Sequence, residues 1–593
     1  MSLVPQAATG LLRAFAEAGV LAAADVHVAR RLGSLAREGD DQVLLATALA
    51  VRAVRLGAVC VDLRALRDVH VEDLDASALP WPDDAALEAA LRRSPLVAGS
   101  TVGDLRPLRL TDTDEGPLLH LVRYWRLERV VREVLAARDA TRPPYDEQVL
   151  ADGLARHFPE PPPDRQRVAA ALAVTRWTAV VAGGPGTGKT FTVARVLRLL
   201  LDQQPGARIA LAAPTGKAAA RLQEQVAEQG LALPAVTLHR LLGWRPDSRT
   251  RFRHDADDRL PHDVVVVDET SMVSLTMTAR LLEALRPDAR LVLVGDPDQL
   301  ASVDAGAVLA DLVARPVTAP VHPALERLVG ADLAAADDPA EAALSPRERA
   351  RLGGGVVRLS RGRRFGGAIA ALAVAVRDGD ADAALAVLTS GAPEVELTDD
   401  DAGLRFDVVD AAARTTALAG AGDVEGALAA LEEHRLLCAH RDGAHGVRDW
   451  DRAARGWVGA PAGGWYAGQP LLVTANDHDA RVYNGDTGVV VVRDGGLVAA
   501  FARGAQPLLR PPASLAAVDT VYAMTIHRSQ GSQYRAVSVL LPPTASALLT
   551  RELLYTAVTR ARERVRVVGT EQSVRAAVER RVLRASGLRR TPR

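Results

Sequence analysis

The chain has 593 residues, of which 48% are hydrophobic and 24% are charged, and its formal net charge is −1. That composition is ordinary for several packed globular domains, and the near-zero charge gives no overall attraction to nucleic acid, so any DNA binding must come from local arginine patches. No stretch of sequence reaches the ~20 uncharged apolar residues of a membrane span, and we expect a cytoplasmic location. The two cysteines, Cys60 and Cys438, are too few for a disulfide framework or a four-cysteine zinc site.

Lysine is almost absent from the chain. Lysine and arginine together number 72, and only Lys189 and Lys217 are lysines, so the other 70 are arginines. Each lysine lies in a motif typical of phosphate handling, Gly-Thr-Gly-Lys-Thr or Pro-Thr-Gly-Lys-Ala. Because a compact ammonium fits between two phosphates where a planar guanidinium does not, the retention of Lys189 indicates nucleotide chemistry. The scarcity also excludes a Schiff-base lysine or a lysine-dependent nuclease centre beyond these two residues.

The hydrophobic pattern predicts a helical first region. Residues 1–140 place alanine, leucine and arginine at helical spacing, with helices expected around 41–56 and 118–136. The proline-rich run at 158–163 cannot continue a helix, and it predicts a linker into the next domain. This region contains no catalytic motif.

Beyond residue 164, short apolar runs alternate with helical patterns. This alternation is typical of parallel sheets covered by helices on both faces, and it predicts an α/β fold with two sheet domains. We expect 313–355 to be a mobile surface connection. Short apolar runs and turn signals such as Asp494-Gly495-Gly496 predict a small β-barrel insertion. The predicted regions are a helical N-terminal domain, a linker, two α/β domains and the insertion in the second of them, over residues 1–140, 141–163, 164–350, 351–593 and 462–518.

The first chemical motif lies between a predicted strand and a predicted helix. Residues 181–190 match the P-loop pattern, in which backbone amides at a helix N-terminus cradle phosphates. Lys189 would reach the β and γ oxygens, and the Thr190 hydroxyl would ligate Mg²⁺. The motif therefore predicts binding of ATP or GTP with Mg²⁺. The residues predicted to form the phosphate site are Gly183, Gly184, Pro185, Gly186, Thr187, Gly188, Lys189 and Thr190.

Two later strands end in polar side chains. Four valines at 264–267 precede Asp268 and Glu269, so a buried strand would deliver two carboxylates to the sheet edge. Asp268 would hold Mg²⁺ through its water shell, and Glu269 would act as general base on the attacking water. In the run Gly-Asp-Pro-Asp-Gln that follows a further strand, Gln299 could hydrogen-bond the γ-phosphate and sense its loss.

The order of these motifs resembles that of superfamily 1 DNA helicases, in particular the RecD subunits of RecBCD (exodeoxyribonuclease V) complexes. The matching segments, through nearly the whole chain, are the adenine-reading glutamine motif at 164–167, motif Ia at 213–221 with its companion at 237–243, motif V at 522–532 and motif VI at 555–562. The resemblance implies two RecA-like domains, ATP as the nucleotide, and a contact of Gln166 with the base. It also implies that the following residues contact DNA: Pro214, Thr215, Lys217, Thr237, His239, Arg240, Asn484, His527, Ser529 and Gln530.

Further roles follow from the same resemblance. Arg560 in motif VI and Arg364 in the run 359–365 would reach across the cleft and stabilise transition-state charge. The insertion at 462–518 resembles an SH3-like module that would line the DNA channel. The segment 244–262 resembles a strand-splitting pin, although its composition fits a surface loop equally well. The chain departs from the family at Gln533, where a glutamate is usual, so a carboxylate contact there would become an amide contact.

The resemblance implies an ATP-driven 5′-to-3′ motor that acts on single- and double-stranded DNA ends, in double-strand-break repair by homologous recombination and degradation of linear DNA. It would form a heterotrimer with RecB-like and RecC-like subunits, with residues 1–140 docked on the RecC-like chain and the nuclease centre on the RecB-like chain. A stand-alone RecD-like helicase is the alternative, although its usual longer N-terminal region with helix-hairpin-helix elements is not visible in this sequence. A P-loop kinase or a structural nucleotide-binding subunit is a remote third possibility.

Overall fold

The structure is a computed structural model of the 593-residue chain. The residues that it describes are 4–69, 76–97, 106–245, 251–317, 320–334, 341, 343–362, 367–477, 479–503, 506–582 and 584–593. Within these residues the strands form four sheets, one of three strands, two of five and one of six. Among the described helices, none is both long and apolar enough to cross a membrane.

The first region is mainly helical, as predicted, and also contains a small sheet. Its elements are α1 (Gly10–Glu17), α2 (Ala23–Ala36), α3 (Asp41–Arg55), β1 (Cys60–Asp62), α4 (Asp84–Arg93), β2 (Leu108–Thr111), β3 (Leu118–Leu121) and α5 (Val122–Asp139). The strands pair antiparallel in the order β1-β3-β2. The helix predicted at 118–136 therefore begins four residues late, because Leu118–Leu121 pairs with strands on both sides. Strands of three or four residues are too short to show a clear alternation in sequence.

The predicted linker contains a helix. Helix α6 (Glu147–His157) begins after Asp146, whose carboxylate accepts hydrogen bonds from the amides of Gln148 and Val149. Its Leu150 and Leu154 are buried in the same apolar core as helix α8 described below. The prediction of a linker over 141–163 was wrong for these residues, since the prolines only limit where the helix ends.

The first parallel sheet has six strands. The elements of this part of the chain are α7 (Arg165–Thr175), β4 (Thr178–Gly183), α8 (Lys189–Gln203), β5 (Ile209–Ala213), α9 (Gly216–Glu228), β6 (Ala235–Thr237), α10 (Leu238–Leu241), β7 (Val264–Val267), α11 (Leu275–Ala284), β8 (Arg290–Gly295), α12 (Val308–Ala314), α13 (Pro323–Ala334), α14 (Pro346–Gly353) and β9 (Val356–Leu359). The order β6-β5-β7-β8-β4-β9 is parallel throughout, and β4, β7 and β8 are fully buried. Burial on both faces explains why these strands are unbroken apolar runs.

The segment predicted as a surface connection packs against the start of α7. Buried Asp332 of α13 accepts a hydrogen bond from the Asp164 amide at 2.9 Å and pairs with Arg167 at 3.0 Å. Glu348 of α14 pairs with Arg165 at 2.7 Å. The prediction for 313–355 was therefore wrong for these helices. Acidic side chains of the segment form ion pairs with arginines of α7, and these pairs hold the two helices against the domain.

The second parallel sheet has five strands, and an antiparallel sheet interrupts its sequence. The elements are α15 (Gly367–Asp378), α16 (Ala381–Leu388), β10 (Val395–Thr398), α17 (Ala402–Gly420), α18 (Val424–Ala430), β11 (His434–Cys438), α19 (Val447–Trp457), β12 (Pro470–Val473), β13 (Thr487–Arg493), β14 (Gly496–Phe501), β15 (Leu508–Arg510), β16 (Val518–Thr520), β17 (Ala523–Thr525), β18 (Tyr534–Leu540), α20 (Arg551–Val558), β19 (Ala561–Val568) and α21 (Glu571–Glu579). The parallel order is β10-β19-β18-β11-β17. Two parallel sheets with a helical first region confirm the predicted fold class.

The predicted insertion is a five-stranded antiparallel sheet in the order β15-β14-β13-β12-β16. Asp494 and Gly495 join β13 to β14 with φ angles of 53° and 76°, and the flanking Arg493 and Gly496 pair. Two successive positive φ angles are what a tight hairpin requires, so the Asp-Gly turn signal is confirmed. The likeness of this sheet to an SH3-like module stays a prediction.

The last residues leave the second sheet domain. Pro592 forms an antiparallel bridge with Thr113, and the Val59 amide donates a hydrogen bond to Ala585 O at 3.2 Å. The chain end therefore packs on the first region, which the predicted domain of 351–593 does not anticipate.

A buried carboxylate joins a helix to the second parallel sheet. Asp407 of α17 accepts hydrogen bonds from Arg564 and Arg566 of β19, and only 5% of the Asp407 side chain and 8% of the Arg566 side chain are exposed. Arg566 also pairs with Glu396 of β10 at 2.8 Å.

We predict that Asp407→Ala lowers the free energy of unfolding by about 3 kcal/mol, because it leaves a buried guanidinium short of a partner.

The control for this variant is Asp410→Ala on the same helix. Asp410 pairs with Arg414 at 2.7 Å, and both side chains are largely exposed. Such a pair contributes less than about 1 kcal/mol. Calorimetry or urea unfolding measures both variants, and equal losses would contradict the importance of the buried pair.

Candidate nucleotide site between the two parallel sheets

The P-loop joins the end of β4 to the start of α8. Gly186 and Gly188 have φ angles of 81° and 79°, a left-handed conformation that side chains rarely adopt, and Gly188 is the N-cap of α8. The Lys189 ammonium donates hydrogen bonds to Gly183 O at 2.7 Å and Gly184 O at 2.9 Å. An ammonium and the free amides of a helix N-terminus therefore meet at one point, which favours binding of an anion.

The residues around the loop fit a nucleotide. A Cβ atom on Gly183 would lie 2.7 Å from the Thr187 hydroxyl, and one on Gly184 would lie 2.8 Å from the Tyr555 hydroxyl, so the backbone leaves no room for side chains. Gln166 donates from Nε2 to Thr187 O at 3.1 Å, while its Oε1 is buried without a hydrogen-bond partner among the described residues. The contact of Gln166 with a base stays a prediction.

Asp268 and Glu269 follow the buried strand β7 directly. The Asp268 carboxylate accepts the Glu269 amide at 2.8 Å. Burial, then the nearby charge of Glu269, raises the pKa of Asp268 to about 6, while Lys189 opposes the shift. Glu269 has φ 50° and ψ 40°, a strained conformation for a side-chain-bearing residue, of the kind that clusters at functional sites.

The side chains that could hold a divalent cation are Thr190 and Asp268. The described residues contain no cluster of three or more histidine, cysteine or acidic side chains that could hold a metal alone. Mg²⁺ at nucleotide sites needs only one or two protein ligands, because phosphate and water oxygens complete its coordination. The hydroxyl and carboxylate at this edge of the sheet therefore fit Mg²⁺ brought by a nucleotide.

Gln299 connects the two parallel-sheet domains. Its Nε2 donates to Asp296 Oδ2 at 3.0 Å, and its Oε1 accepts from Arg560 Nη2 at 2.9 Å. Arg560 is 3% exposed and also donates to Thr556 O and Ser532 O, both at 3.2 Å. Burial lowers the pKa of Arg560, and it raises the pKa of Asp296 to about 6. Gln299 and Arg560, both predicted site residues, therefore meet in the cleft.

Further contacts cross the same cleft. Arg221 of motif Ia donates to Gln533 Oε1 at 3.1 Å, so the amide that replaces the usual glutamate accepts a hydrogen bond from an arginine. The Leu300 amide donates to the Thr556 hydroxyl at 2.9 Å, and Leu300 O accepts from Gln530 Nε2 at 2.7 Å. The two hydrogen bonds of Leu300 hold the loop after β8 against motifs V and VI.

The side chains predicted to contact DNA divide into two groups. Ser529 is fully buried and donates its hydroxyl to Ile526 O at 2.7 Å, while Gln530 is 8% exposed and bonded to Leu300 O. In this structure the polar atoms of both side chains bond within the protein, so direct side-chain contact of Ser529 and Gln530 with DNA stays a prediction. Thr215 and Thr237 accept hydrogen bonds from the backbone amides of Ala218 and Arg240 as N-caps of α9 and α10.

The other predicted DNA residues are partly or fully exposed: Pro214, Lys217, His239, Arg240, Asn484 and His527. His239 lies 5.9 Å from the Phe252 ring, and burial lowers its pKa. Lys217 lines a second cleft between α9 and the antiparallel sheet, together with Asp486 and Arg503. These six residues stay predictions as DNA contacts.

Two predictions concern residues outside the described part of the chain. Arg364 belongs to residues 363–366, which the structure does not describe. The same is true of residues 246–250 within the predicted pin segment 244–262. At the base of the pin segment, Trp244 and Phe252 form an antiparallel bridge.

Sequence reasoning missed three residues of the site. Asp296 and Arg221 lie inside motifs that were recognised, so their positions in those motifs could have indicated them. Tyr555 opens motif VI, but nothing in its sequence neighbourhood indicates that its hydroxyl lies beside Gly184.

Family models match three segments of the chain. The RecBCD enzyme subunit RecD N-terminal domain matches residues 17–114, an AAA domain matches 166–305, and the UvrD-like helicase C-terminal domain matches 520–568. A solved structure of Bacteroides Pif1 bound to ssDNA is similar with a TM-score of 0.39 and 16% identity, over 69% of this chain and 93% of that one.

Curated relatives match over longer stretches. The ATP-dependent RecD2 DNA helicase of Deinococcus radiodurans is 31% identical over 65% of this chain and 46% of its own length. The RecBCD enzyme subunit RecD of Mycobacterium tuberculosis is 50% identical over 98% of this chain and 96% of its own length. Identity at half of all positions over nearly the full length shows that the chain belongs to the RecD family, and it is an ATP-dependent DNA helicase.

Proposed function

We propose that this chain is the 5′-to-3′ motor of a RecBCD-type helicase–nuclease that acts on DNA ends, in double-strand-break repair by homologous recombination and in degradation of linear DNA. The observation that carries the proposal is the hydrogen bond between Arg560 and Gln299 across the cleft, opposite Lys189 and Asp268. A hydrolysis site built from two domains can convert loss of the γ-phosphate into movement of one domain against the other.

Each side chain of the site has a distinct role in the proposal. Lys189 binds the β and γ oxygens at the start of α8, and Gln166 binds the adenine. Thr190 and Asp268 hold Mg²⁺, which supplies charge neutralisation at the phosphates when bound. Glu269 accepts the proton of the attacking water.

Arg560 and Gln299 respond to the state of the γ-phosphate. The guanidinium donates to three uncharged oxygens in a buried site, so its positive charge is available to a phosphate that develops negative charge in the transition state. Because Gln299 bonds to Arg560 and to Asp296, a displacement of the arginine is passed directly to the end of β8.

Two observations support partner subunits. The match of residues 17–114 to the RecD N-terminal domain is a match to a subunit of a larger enzyme. The scarcity of lysine leaves none free for a lysine-dependent nuclease centre, so cutting would belong to a RecB-like chain and docking to a RecC-like chain. The 31% identity to the RecD2 helicase gives some support to the alternative of a stand-alone helicase, but the 50% identity to RecD over nearly the full length favours the subunit.

We predict that Arg560→Ala lowers kcat for ATP hydrolysis on the order of 10³-fold, as for other arginines that stabilise the phosphoryl transition state. The dissociation constant for ATP changes by less than about threefold, because the P-loop is intact. Steady-state ATPase assays and binding of a labelled nucleotide measure the two quantities.

The matched control is Arg562→Ala, two residues further along the same motif. The Arg562 side chain is 49% exposed, pairs with Glu432 at 3.4 Å and is not among the residues that line the nucleotide cleft. Its kcat should stay within about twofold of wild type. Parallel loss of binding and turnover in Arg560→Ala would instead assign that residue to ground-state binding or to structure.

We predict that the purified chain opens duplex DNA with a 5′ single-stranded tail and leaves duplex with a 3′ tail closed, in ATP and Mg²⁺. Lys189→Ala is the control and should abolish both hydrolysis and unwinding, because the β/γ-phosphate contact is lost. Opening of the 3′-tailed duplex alone would refute the proposed polarity. Unwinding that requires added RecB-like and RecC-like subunits would favour the heterotrimer over the stand-alone alternative.

A further inference from the structure

Residues 584–593, the C-terminal strap, form a buried interface with the first region of the chain. Leu588 is 6% exposed and belongs to the apolar core that α5 shares with the first sheet domain. Glu128 of α5 accepts hydrogen bonds from the Ser586 hydroxyl and the Gly587 amide, both at 2.9 Å. A segment with a buried apolar side chain and a buried carboxylate as acceptor is an integral part of the fold.

The strap also contacts the first sheet domain. Arg589 pairs at 2.5 Å with Asp311 of α12, whose side chain is 1% exposed. Arg590 pairs with Asp62 and, at 3.0 Å, with Glu115, both in the first region. The strap therefore joins the first region to the first sheet domain through two arginines.

The chain reaches the strap from the second sheet domain across a very short span. The Val582 amide donates to Glu552 of α20 at 3.0 Å, and Arg584 Nη1 donates to Ser302 O of the first sheet domain at 2.7 Å. Two residues of extended chain reach roughly 7 Å. This span and the length of the Arg584 side chain together limit how far the second domain can separate from the first at this edge while both contacts persist.

Ser302 belongs to the loop that carries the γ-phosphate sensor. Residues 299–302 are held at successive points by side chains from later in the chain. The contacts are Arg560 to the Gln299 side chain at 2.9 Å, Thr556 and Gln530 to the Leu300 amide and carbonyl at 2.9 and 2.7 Å, and Arg584 to Ser302 O at 2.7 Å. The first three contacts come from motifs V and VI, whereas Arg584 lies beyond residue 568, where the helicase family model ends.

The guanidinium of Arg584 fits closely between three parts of the protein. A Cβ atom on Gly57 would lie 2.8 Å from Arg584 Cζ, and Gly57 O accepts the Gly306 amide at 2.9 Å. Burial, and then the nearby charge of Arg584, lowers the pKa of the His527 imidazole in motif V. The first region, the sensor loop and motif V therefore meet around this one side chain.

We propose that Arg584 is a positioning residue for ATP hydrolysis: through Ser302 it fixes the sensor loop so that Gln299 stays in contact with Arg560. The proposal rests on the assignment of the nucleotide site in the preceding subsection. Arg584 touches neither the P-loop nor the carboxylates, so it acts on turnover rather than on ATP binding.

The test compares Arg584→Ala, Arg584→Lys and the control Arg593→Ala, a strap variant that loses only an exposed hydrogen bond to Asp114 O at 3.3 Å. In DNA-stimulated ATP hydrolysis, kcat of Arg584→Ala should be about tenfold lower than that of wild type. Loss of one charge-assisted contact costs about 1.4 kcal/mol, which corresponds to a tenfold change in rate. KM for ATP should change by less than about twofold, and Arg584→Lys, which keeps a donor, should recover kcat to within about threefold of wild type. Arg593→Ala should equal wild type.

Hydrogen exchange gives a second readout that does not depend on activity. Backbone amides of residues 300–306 should exchange about tenfold faster in Arg584→Ala than in wild type or Arg593→Ala, because the loop loses one of its holding contacts. Wild-type kcat with unchanged exchange in Arg584→Ala would overturn the proposal, as would a loss of kcat that lysine does not restore. A wild-type chain that shows no ATP turnover either alone or with RecB-like and RecC-like subunits would refute the nucleotide-site assignment, and the exchange measurement would still decide whether Arg584 holds the loop.

Discussion

The hydrogen bond from Arg560 to Gln299 joins the two halves of the nucleotide site at a buried charge. A fully buried guanidinium is costly unless acceptors surround it, and the three acceptors here are uncharged oxygens. The nearby carboxylates Glu269 and Asp296 stabilise its charge at a distance. Thr556 and Ser532 belong to the same domain as Arg560, so Gln299 supplies the one acceptor among these three that comes from the first sheet domain. The proposed hydrolysis site is therefore completed by a contact between the two domains.

The first region is attached to the motor by arginines that bond to backbone carbonyls. Arg138 of α5 donates to Trp177 O at 2.6 Å and to Ala289 O at 2.5 Å, at the starts of β4 and β8. A planar guanidinium can reach two carbonyls at fixed angles, which a lysine does less well, so the arginine-rich composition suits these junctions. The same α5 carries Glu128, which receives the strap. Helix α5 therefore contacts both the first sheet domain and the strap.

Much of the site could be predicted from local motifs, whereas the contacts between residues far apart in sequence could not. The P-loop, the Asp268-Glu269 pair and Gln299 follow buried strands directly, so each could be placed from its neighbours in sequence. The partner of Arg560 is 261 residues away, and Arg132 bonds to Gly587 across 455 residues, so no local pattern indicates either contact. Ser529 and Gln530 lie in a recognised motif, but whether a side chain faces solvent or the fold depends on packing that the motif does not encode. Helix α6 was missed because the proline run at 158–163 lies beyond the end of the helix at His157 and does not exclude a helix in the residues before it.

The most direct test of the account is a double-mutant cycle on ATP hydrolysis with Gln299→Ala, Arg560→Ala and the double variant. If the two side chains act as one unit, the double variant should have nearly the same kcat as Arg560→Ala, and the coupling energy should be at least about 1 kcal/mol. Losses in log kcat that simply add would contradict the account, because they would mean that each side chain acts on the reaction independently of their hydrogen bond.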